Sequence, residues 1–275
     1  MNEQATKPDK GGQPINQPKS EVKTAKKTES SLKDFLRKLE IKFLRLYYGN
    51  PAKDLKIIIV TGNDGVNTTA HFVHEILKLA DAKTGLILNA TTPAKFYRKL
   101  SKIWREGANH AVVTAPTSAI NNSVFLGIDA HSIIVTNSKD TDHSRDTISK
   151  LLKSEPGFLI LNHDDKNYDV FNRHGAKTSS ISYGRNSSSD IRINRVKVYK
   201  RGTEVNLNYN GQFIDFATFV TGEESGPLMA AAATCGFAMS YSSDNIIDGI
   251  ANYEPKEPKT EEDKKPETKV SEAEA

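Results

Sequence analysis

Leu55-Lys56-Ile57-Ile58-Ile59-Val60-Thr61-Gly62-Asn63-Asp64-Gly65-Val66-Asn67-Thr68-Thr69-Ala70 sets the reading of this 275-residue chain. An apolar run of strand length meets a two-glycine turn. Phe72, Val73, Ile76, Leu77, Leu79 and Ala80 then continue at helical spacing. Strand, glycine loop and helix in that order is the layout of a phosphate-binding loop, G-x-x-x-x-G-K-[ST] or the shorter G-x-x-G-K-[ST]. Such a loop works because backbone N–H groups and a helix N-terminus face the phosphates, while a lysine reaches the outer phosphates and a hydroxyl meets Mg²⁺. Here Gly62 and Gly65 keep the frame, but Val66 stands at the lysine position and Asn67 at the hydroxyl position. The candidate nucleotide-contacting residues are therefore Gly62, Asn63, Asp64, Gly65, Val66, Asn67 and Thr68. The glycines also have a plain structural reading as a tight strand-to-helix turn, with residual anion binding at the helix N-terminus as the other reading.

Outward from this unit the pattern alternates. Strands are expected at Lys56–Val60, Thr84–Asn89, His110–Thr114, Ser132–Thr136, Phe158–Leu161 and Thr178–Tyr183, and helices at Asn67–Ala80, Ala94–Gly107 and Thr147–Lys153. That order implies an α/β fold of P-loop type, a mostly parallel sheet covered by helices on both faces. Ile191–Tyr199, Glu204–Tyr209 and Phe213–Phe219 follow, separated by Arg201-Gly202 and Asn210-Gly211. These turns predict an antiparallel hairpin region near the C-terminal end. An alanine-rich helix over Pro227–Ser240 and a short helix over Asp244–Asn252 complete the pattern.

Four segments are expected: a disordered tail over residues 1–30, a basic amphipathic helix over 31–50, a central domain over 51–254, and a charged disordered tail over 255–275. In the helix, Leu32, Phe35, Leu36, Leu39, Phe43, Leu46 and Tyr47 recur at three- and four-residue spacing, with Lys33, Arg37, Lys38, Lys42 and Arg45 among them. Ser30 or Ser31 can cap its start, and Gly49 with Pro51 ends it. The favoured expectation is that this helix packs on the domain and leaves its basic side open. The alternative for Ser31–Tyr48 is a protein partner or an anionic membrane surface.

A net charge of +4 is too small to argue for a nucleic-acid partner, and the single Cys235 excludes an internal disulfide framework and reads as a small core residue. Neither a leader pattern nor an apolar run of membrane-span length stands out, so the expected setting is cytoplasmic. His71 and His74 lie three apart on one helix but lack further ligands at metal-site spacing, and Asp164-Asp165 reads as a turn or helix cap before a metal site.

From Leu55 to Tyr253 the order of features resembles the ATP-binding central domain of the Mur ligases and their folate-type relatives. Val60–Thr69 looks like the family's T-G-T-[ND]-G-K-T-[ST]-T loop, and Ala111–Ile120 sits at its E-x-S-S-[HQ]-[AG]-L segment. Ile133-Ile134-Val135-Thr136-Asn137 is similar to the family's strand ending in T-N. Leu159–Asp165 is similar to V-[IL]-N-x-D-D, Tyr183-Gly184 to its Y-G strand end, and Gly222–Ala232 to G-x-[FH]-N-x-x-N-x-L-A-A. The resemblance implies ATP and Mg²⁺ as cofactors, a nucleotide or cell-wall precursor as ligand, and ligase chemistry that joins an acid to an amine.

The departures fall on that chemistry. Besides Val66 and Asn67, Thr114 stands at the family's metal-binding glutamate, Ser118 at its histidine, and Ser225 and Leu228 at its two late asparagines. Asp142-His143 resembles the family's D-H pair one residue late, and Lys150 and Lys153 are the nearest stand-ins for its modified lysine. The reading is a degenerate central domain without catalytic residues, a binding or scaffold protein linked to cell-wall precursor synthesis. One alternative is an ATP-dependent peptide-bond-forming ligase completed by a partner chain. The other is a peripheral membrane adaptor acting through residues 31–48. If the domain limits are right, limited proteolysis trims both ends first and leaves a resistant core containing residues 55–253. Early cleavage within Lys56–Asn89 contradicts them.

Overall fold

The computed structural model describes residues 32, 35–80, 82–138, 141–174 and 178–255. The two expected tails, the Ser30/Ser31 cap and the side chains of Asp142 and His143 lie outside the described residues. The chain divides into two compact units, Met1–Phe43 and Leu44–Ala275. Residues 35–47 are helical (α1), and a short 3-10 turn over Pro51–Lys53 leads into the sheet.

Six strands form the parallel part: β1 Lys56–Thr61, β2 Thr84–Ile87, β3 His110–Ala115, β4 Ala130–Val135, β5 Phe158–Asn162 and β6 Ser179–Gly184. The antiparallel part is β7 Ile191–Tyr199, β8 Gly202–Tyr209 and β9 Gln212–Thr218. All nine join one sheet in the order β2-β3-β1-β4-β5-β6-β7-β8-β9. Pairing is parallel through β6–β7 and antiparallel beyond, as the alternation and the hairpin turns predict. The Asn210-Gly211 turn has positive φ at both central residues, 51° and 82°, the conformation that a two-residue hairpin with type I′ twist requires.

The helices are α2 Val66–Leu79, α3 Pro93–Arg105, α4 Thr117–Asn121, α5 Asp142–Leu152, α6 Tyr168–Asn172, α7 Ser225–Ala238 and α8 Ser243–Ala251. Several limits differ from the sequence reading for local reasons. Helix α5 begins five residues early because Thr141 Oγ1 accepts the Ser144 N–H at 3.3 Å and caps it. Thr92 caps α3 in the same way, with Pro93 in the first turn. Strand β2 stops at Ile87 because Asn89 turns to φ 52°. Helices α4 and α6 span five residues each, too short for a periodic signal.

The sheet is closed on both faces. Ile58, Val60, Val112, Ile134 and Ile160 pack with Phe72, Val73, Ile76 and Leu77 of α2, Met229–Ala233 of α7, and Ile246 and Ile250 of α8. On the other face Ile57, Ile59, Val113, Ile133 and Leu159 are as fully buried. This explains why β1 reads as an unbroken apolar run instead of an alternation. Small residues bring the helices close: a Cβ at Gly249 would lie 2.5 Å from Ile76 Cα. Cys235 is buried in α7, and burial pushes its thiol up to about 12, consistent with a core role.

At the opposite end of the central strands, His110 faces a different constraint. It is buried, and Lys56 is its register partner on β1. Its Nδ1 lies 2.7 Å from Asn109 Oδ1, an oxygen that only accepts, so Nδ1 holds the proton and the buried Nε2 has no partner. Burial first, then the Lys56 charge and His131, push its pKa down to about 4 from 6.5. The unfolded chain therefore takes up a proton below pH 6.5 that the folded chain refuses until about pH 4, so stability is full above that window and falls through it as pH drops. His110→Leu is expected to flatten this slope relative to wild type in urea titrations at a series of pH values. An unchanged difference between the two proteins across the window contradicts it.

Candidate functional site

In an open parallel sheet, ligands bind beyond the carboxyl ends of the strands where the strand order reverses. Here that point lies at β1, flanked by β3 and β4, and the Gly62–Gly65 loop leaves from it. The loop is held by its neighbour strand. Asn137 Oδ1 accepts the N–H groups of Asn63 and Asp64, both at 2.9 Å, and Thr136 Oγ1 donates to the Asp64 carbonyl at 2.9 Å. The Asp64 carboxylate in turn accepts from Asn63 Nδ2 at 2.6 Å and Asn137 Nδ2 at 3.4 Å. Two loop amides are thus already paired with protein.

Both glycines are demanded by this packing. Gly62 has φ 143°, and a Cβ there would meet Thr136 Oγ1 at 2.1 Å and the Asn137 carbonyl oxygen at 2.8 Å. Gly65 has φ 69°, and its Cβ would meet Leu228 Cδ2 at 2.2 Å. Leu228, at the position of a family asparagine, therefore lies directly on the loop. The Val66 side chain packs against the core, Asn67 is exposed and Thr68 half-buried. No side chain caps the N-terminus of α2, and the buried Thr69 Oγ1 has no hydrogen-bond partner.

The remaining motif positions serve the backbone. Thr114 is buried and accepts the Asn89 N–H at 2.9 Å, tying the end of β3 to the β2 loop. Asn162 Nδ2 donates to the Thr136 carbonyl at 2.9 Å. Asp164 accepts the N–H groups of Arg185 and Asn186 at 2.7 and 3.0 Å. Asp165 accepts from the Ser138 N–H and hydroxyl and from the Asn167 N–H. Tyr183 donates to the Val135 and Thr136 carbonyls, and burial, then Asp165 and Asp164, push its hydroxyl upward. His163 stacks on Tyr168 at 4.1 Å. The cradle does not fit MgATP as the family loop would hold it: the lysine position is the apolar Val66, packed against the core, and Leu228 sits on Gly65.

Other candidates are not brought to this edge. His71 stacks on Tyr253 at 4.8 Å, while His74 lies 3.3 Å from Glu75 and burial lowers its pKa. Among the described residues, no three metal-ligating side chains cluster. Lys150 and Lys153 lie at the end of α5, which runs back toward the start of β5, and line a cavity of about 380 Å³ with Phe125, Gly127 and Ile128. Sequence reasoning missed the roles of Thr136, Asn137 and Leu228. The T-N strand end was visible, but its partners lie over seventy residues away.

The fold and its loop define a P-loop-type α/β domain. The Mur ligase middle domain model matches residues 60–235, and the chain belongs to that family. It is 25% identical over 235 residues to the UDP-N-acetylmuramoyl-L-alanyl-D-glutamate--2,6-diaminopimelate ligase of Solibacter usitatus, covering 76% of this chain and 47% of that protein. The ligase of the same name from Geobacillus thermodenitrificans is 24% identical over 241 residues, covering 76% and 49%. The chain thus spans about half the length of these relatives. Similar solved structures include a UDP-N-acetylmuramoylalanyl-D-glutamyl-2,6-diaminopimelate--D-alanyl-D-alanyl ligase from Acinetobacter baumannii. Its TM-score is 0.67 at 16% identity, over 78% of this chain and 50% of that one. Folylpolyglutamate synthetase from Lactobacillus casei gives 0.61 at 14%, over 78% and 67%. These likenesses speak for the fold.

The two glycines separate experimentally. Gly65→Ala is expected to cost about 1–2 kcal/mol from its left-handed backbone alone, and Leu228→Ala should recover part of any further loss. Gly62→Ala meets backbone as well as side chain, so it should cost more and gain nothing from Leu228→Ala. Chemical denaturation of the singles and doubles checks this. Equal rescue of both sites contradicts the packing described.

Proposed function

We propose that this chain is a Mur-ligase-like middle domain that acts without catalysis, as a binding or scaffold protein linked to cell-wall precursor synthesis. The observation that carries the reading is Val66 and Asn67 at the positions of the phosphate lysine and metal hydroxyl, with Val66 packed inward. Phosphoryl transfer depends on positioned charge, and loss of one such donor costs about 2.7–4 kcal/mol, or roughly 10²–10³ in rate. Thr114 in place of a carboxylate removes a further group, and its hydroxyl is already engaged. The link to precursor synthesis rests on the relatives, which are UDP-N-acetylmuramoyl-L-alanyl-D-glutamate--2,6-diaminopimelate ligases.

A second reading is an ATP-dependent ligase whose missing groups come from a partner chain. The uncapped N-terminus of α2, with the partnerless Thr69 Oγ1 beside it, favours that reading. Calorimetry with ATP, with and without Mg²⁺, distinguishes them. Weak or absent binding is expected, and sub-micromolar, Mg²⁺-dependent affinity overturns the first reading. Val66→Lys, Asn67→Thr and Leu228→Asn together should raise affinity above wild type. No gain means that the loop has lost its binding shape as well as its side chains.

A further inference from the structure

We propose that helix α1 docks flat on the surface of an anionic lipid bilayer. The inference is independent of what the glycine loop binds. At 100° per residue, Leu32, Phe35, Leu36, Leu39, Phe43, Leu46 and Tyr47 fall within an arc of about 120° on one side of the helix. Within it Leu32 is 58% exposed, Phe35 62%, Leu36 53%, Leu39 55% and Leu46 83%. Leu79, Leu126 and Phe213, other exposed large apolar side chains, lie on separate parts of the chain. A contiguous apolar stripe on a protein surface marks an interaction site.

The outward direction of the last turn is fixed by its other side. Arg45 Nε donates to Asn50 Oδ1 at 3.1 Å, and its Nη1 donates to the Gly127 carbonyl at 3.2 Å. Ser101 Oγ donates to the Tyr48 carbonyl at 3.4 Å, and Gly49 lies against the Trp104 ring. With Arg45 turned to the body, Leu46, a further 100° round, points to solvent.

Charge identifies the occupant. Residues 31–48 hold five basic residues against two acidic ones, so this short segment supplies most of the chain's net charge of +4. Glu40 is engaged by Arg37 at 2.6 Å, while Lys38 and Lys42 flank the apolar stripe on one side. An apolar face bordered by basic side chains matches the acyl boundary and phosphates of an anionic membrane. A second copy would instead bring the same excess of positive charge to both sides of the seam. No described helix is long and apolar enough to cross a membrane, so α1 lies on the surface. The turn at Pro51–Lys53 joins α1 to the start of β1, whereas the glycine loop leaves its far end.

The test is co-sedimentation of the full chain with vesicles of phosphatidylcholine alone or with one third phosphatidylglycerol, alongside light scattering and thermal melts. Wild type is expected to bind the anionic vesicles at least about ten-fold better, and to lose most of that binding between about 50 and 500 mM NaCl. Leu36→Asp/Leu39→Asp and Lys38→Glu/Lys42→Glu should each lower binding about ten-fold or more with melting temperature unchanged. Absence of wild-type binding overturns the proposal. So does binding unaffected by the stripe variant, or a lipid-independent oligomer that this variant dissolves. A large fall in melting temperature for Leu36→Asp/Leu39→Asp, with vesicle binding retained, also overturns it and assigns the stripe to the protein's own packing.

Discussion

The Asn137 side chain is the point on which the loop edge depends. Its carbonyl oxygen takes two consecutive loop amides at 2.9 Å, and its amide nitrogen reaches the Asp64 carboxylate. Each buried backbone N–H must find a partner, and a phosphate loop leaves several to be met by its ligand. Here part of that demand is met from within the chain. The close approach that this requires is possible only because Gly62 has no Cβ to strike Thr136. Glycine spacing alone therefore does not distinguish a loop shaped for phosphate from one shaped for its neighbour strand.

Much of the architecture was legible in the sequence because its cause is local. A sheet buried on both faces needs unbroken apolar runs, and Ile57–Val60, Val112-Val113 and Ile133–Val135 are such runs. Helices α2, α7 and α8 announced themselves by periodicity or by alanine content. Asn210-Gly211 named its own turn, since few other residues accept positive φ twice in succession. The family's motif order added the assignment from the first strand to the last helix. What local pattern could not supply were short helices and strand ends, where one hydroxyl such as Thr141 Oγ1 decides the boundary.

The candidate site was legible as a place and not as a mechanism. Val66 and Asn67 could be seen to differ from a lysine and a hydroxyl residue without any structure. That Thr114 is committed to Asn89, Asp164 to the β6 loop and Asp165 to Ser138 could not, because each pair is separated by more than twenty residues. A carboxylate next to a strand end reads equally as a metal ligand or as an acceptor for backbone N–H groups. Only the position of the other strand separates the two. Leu228 is the clearest case: an apolar residue in an apolar helix gives no hint that it rests on Gly65.

These replacements do not require the fold to change. In a parallel sheet every strand-to-helix loop falls on one edge, and the core lies between that edge and the other. The loop edge of this protein is held by side-chain bonds to backbone, largely from neutral groups: Asn137, Thr136, Thr114, Asn162 and Tyr183. Burial beneath them is continuous from α2 through β1 to the opposite face. Among the described residues the buried polar side chains are threonines, serines and His110, with no buried Asp, Glu, Lys or Arg that would need a counter-ion.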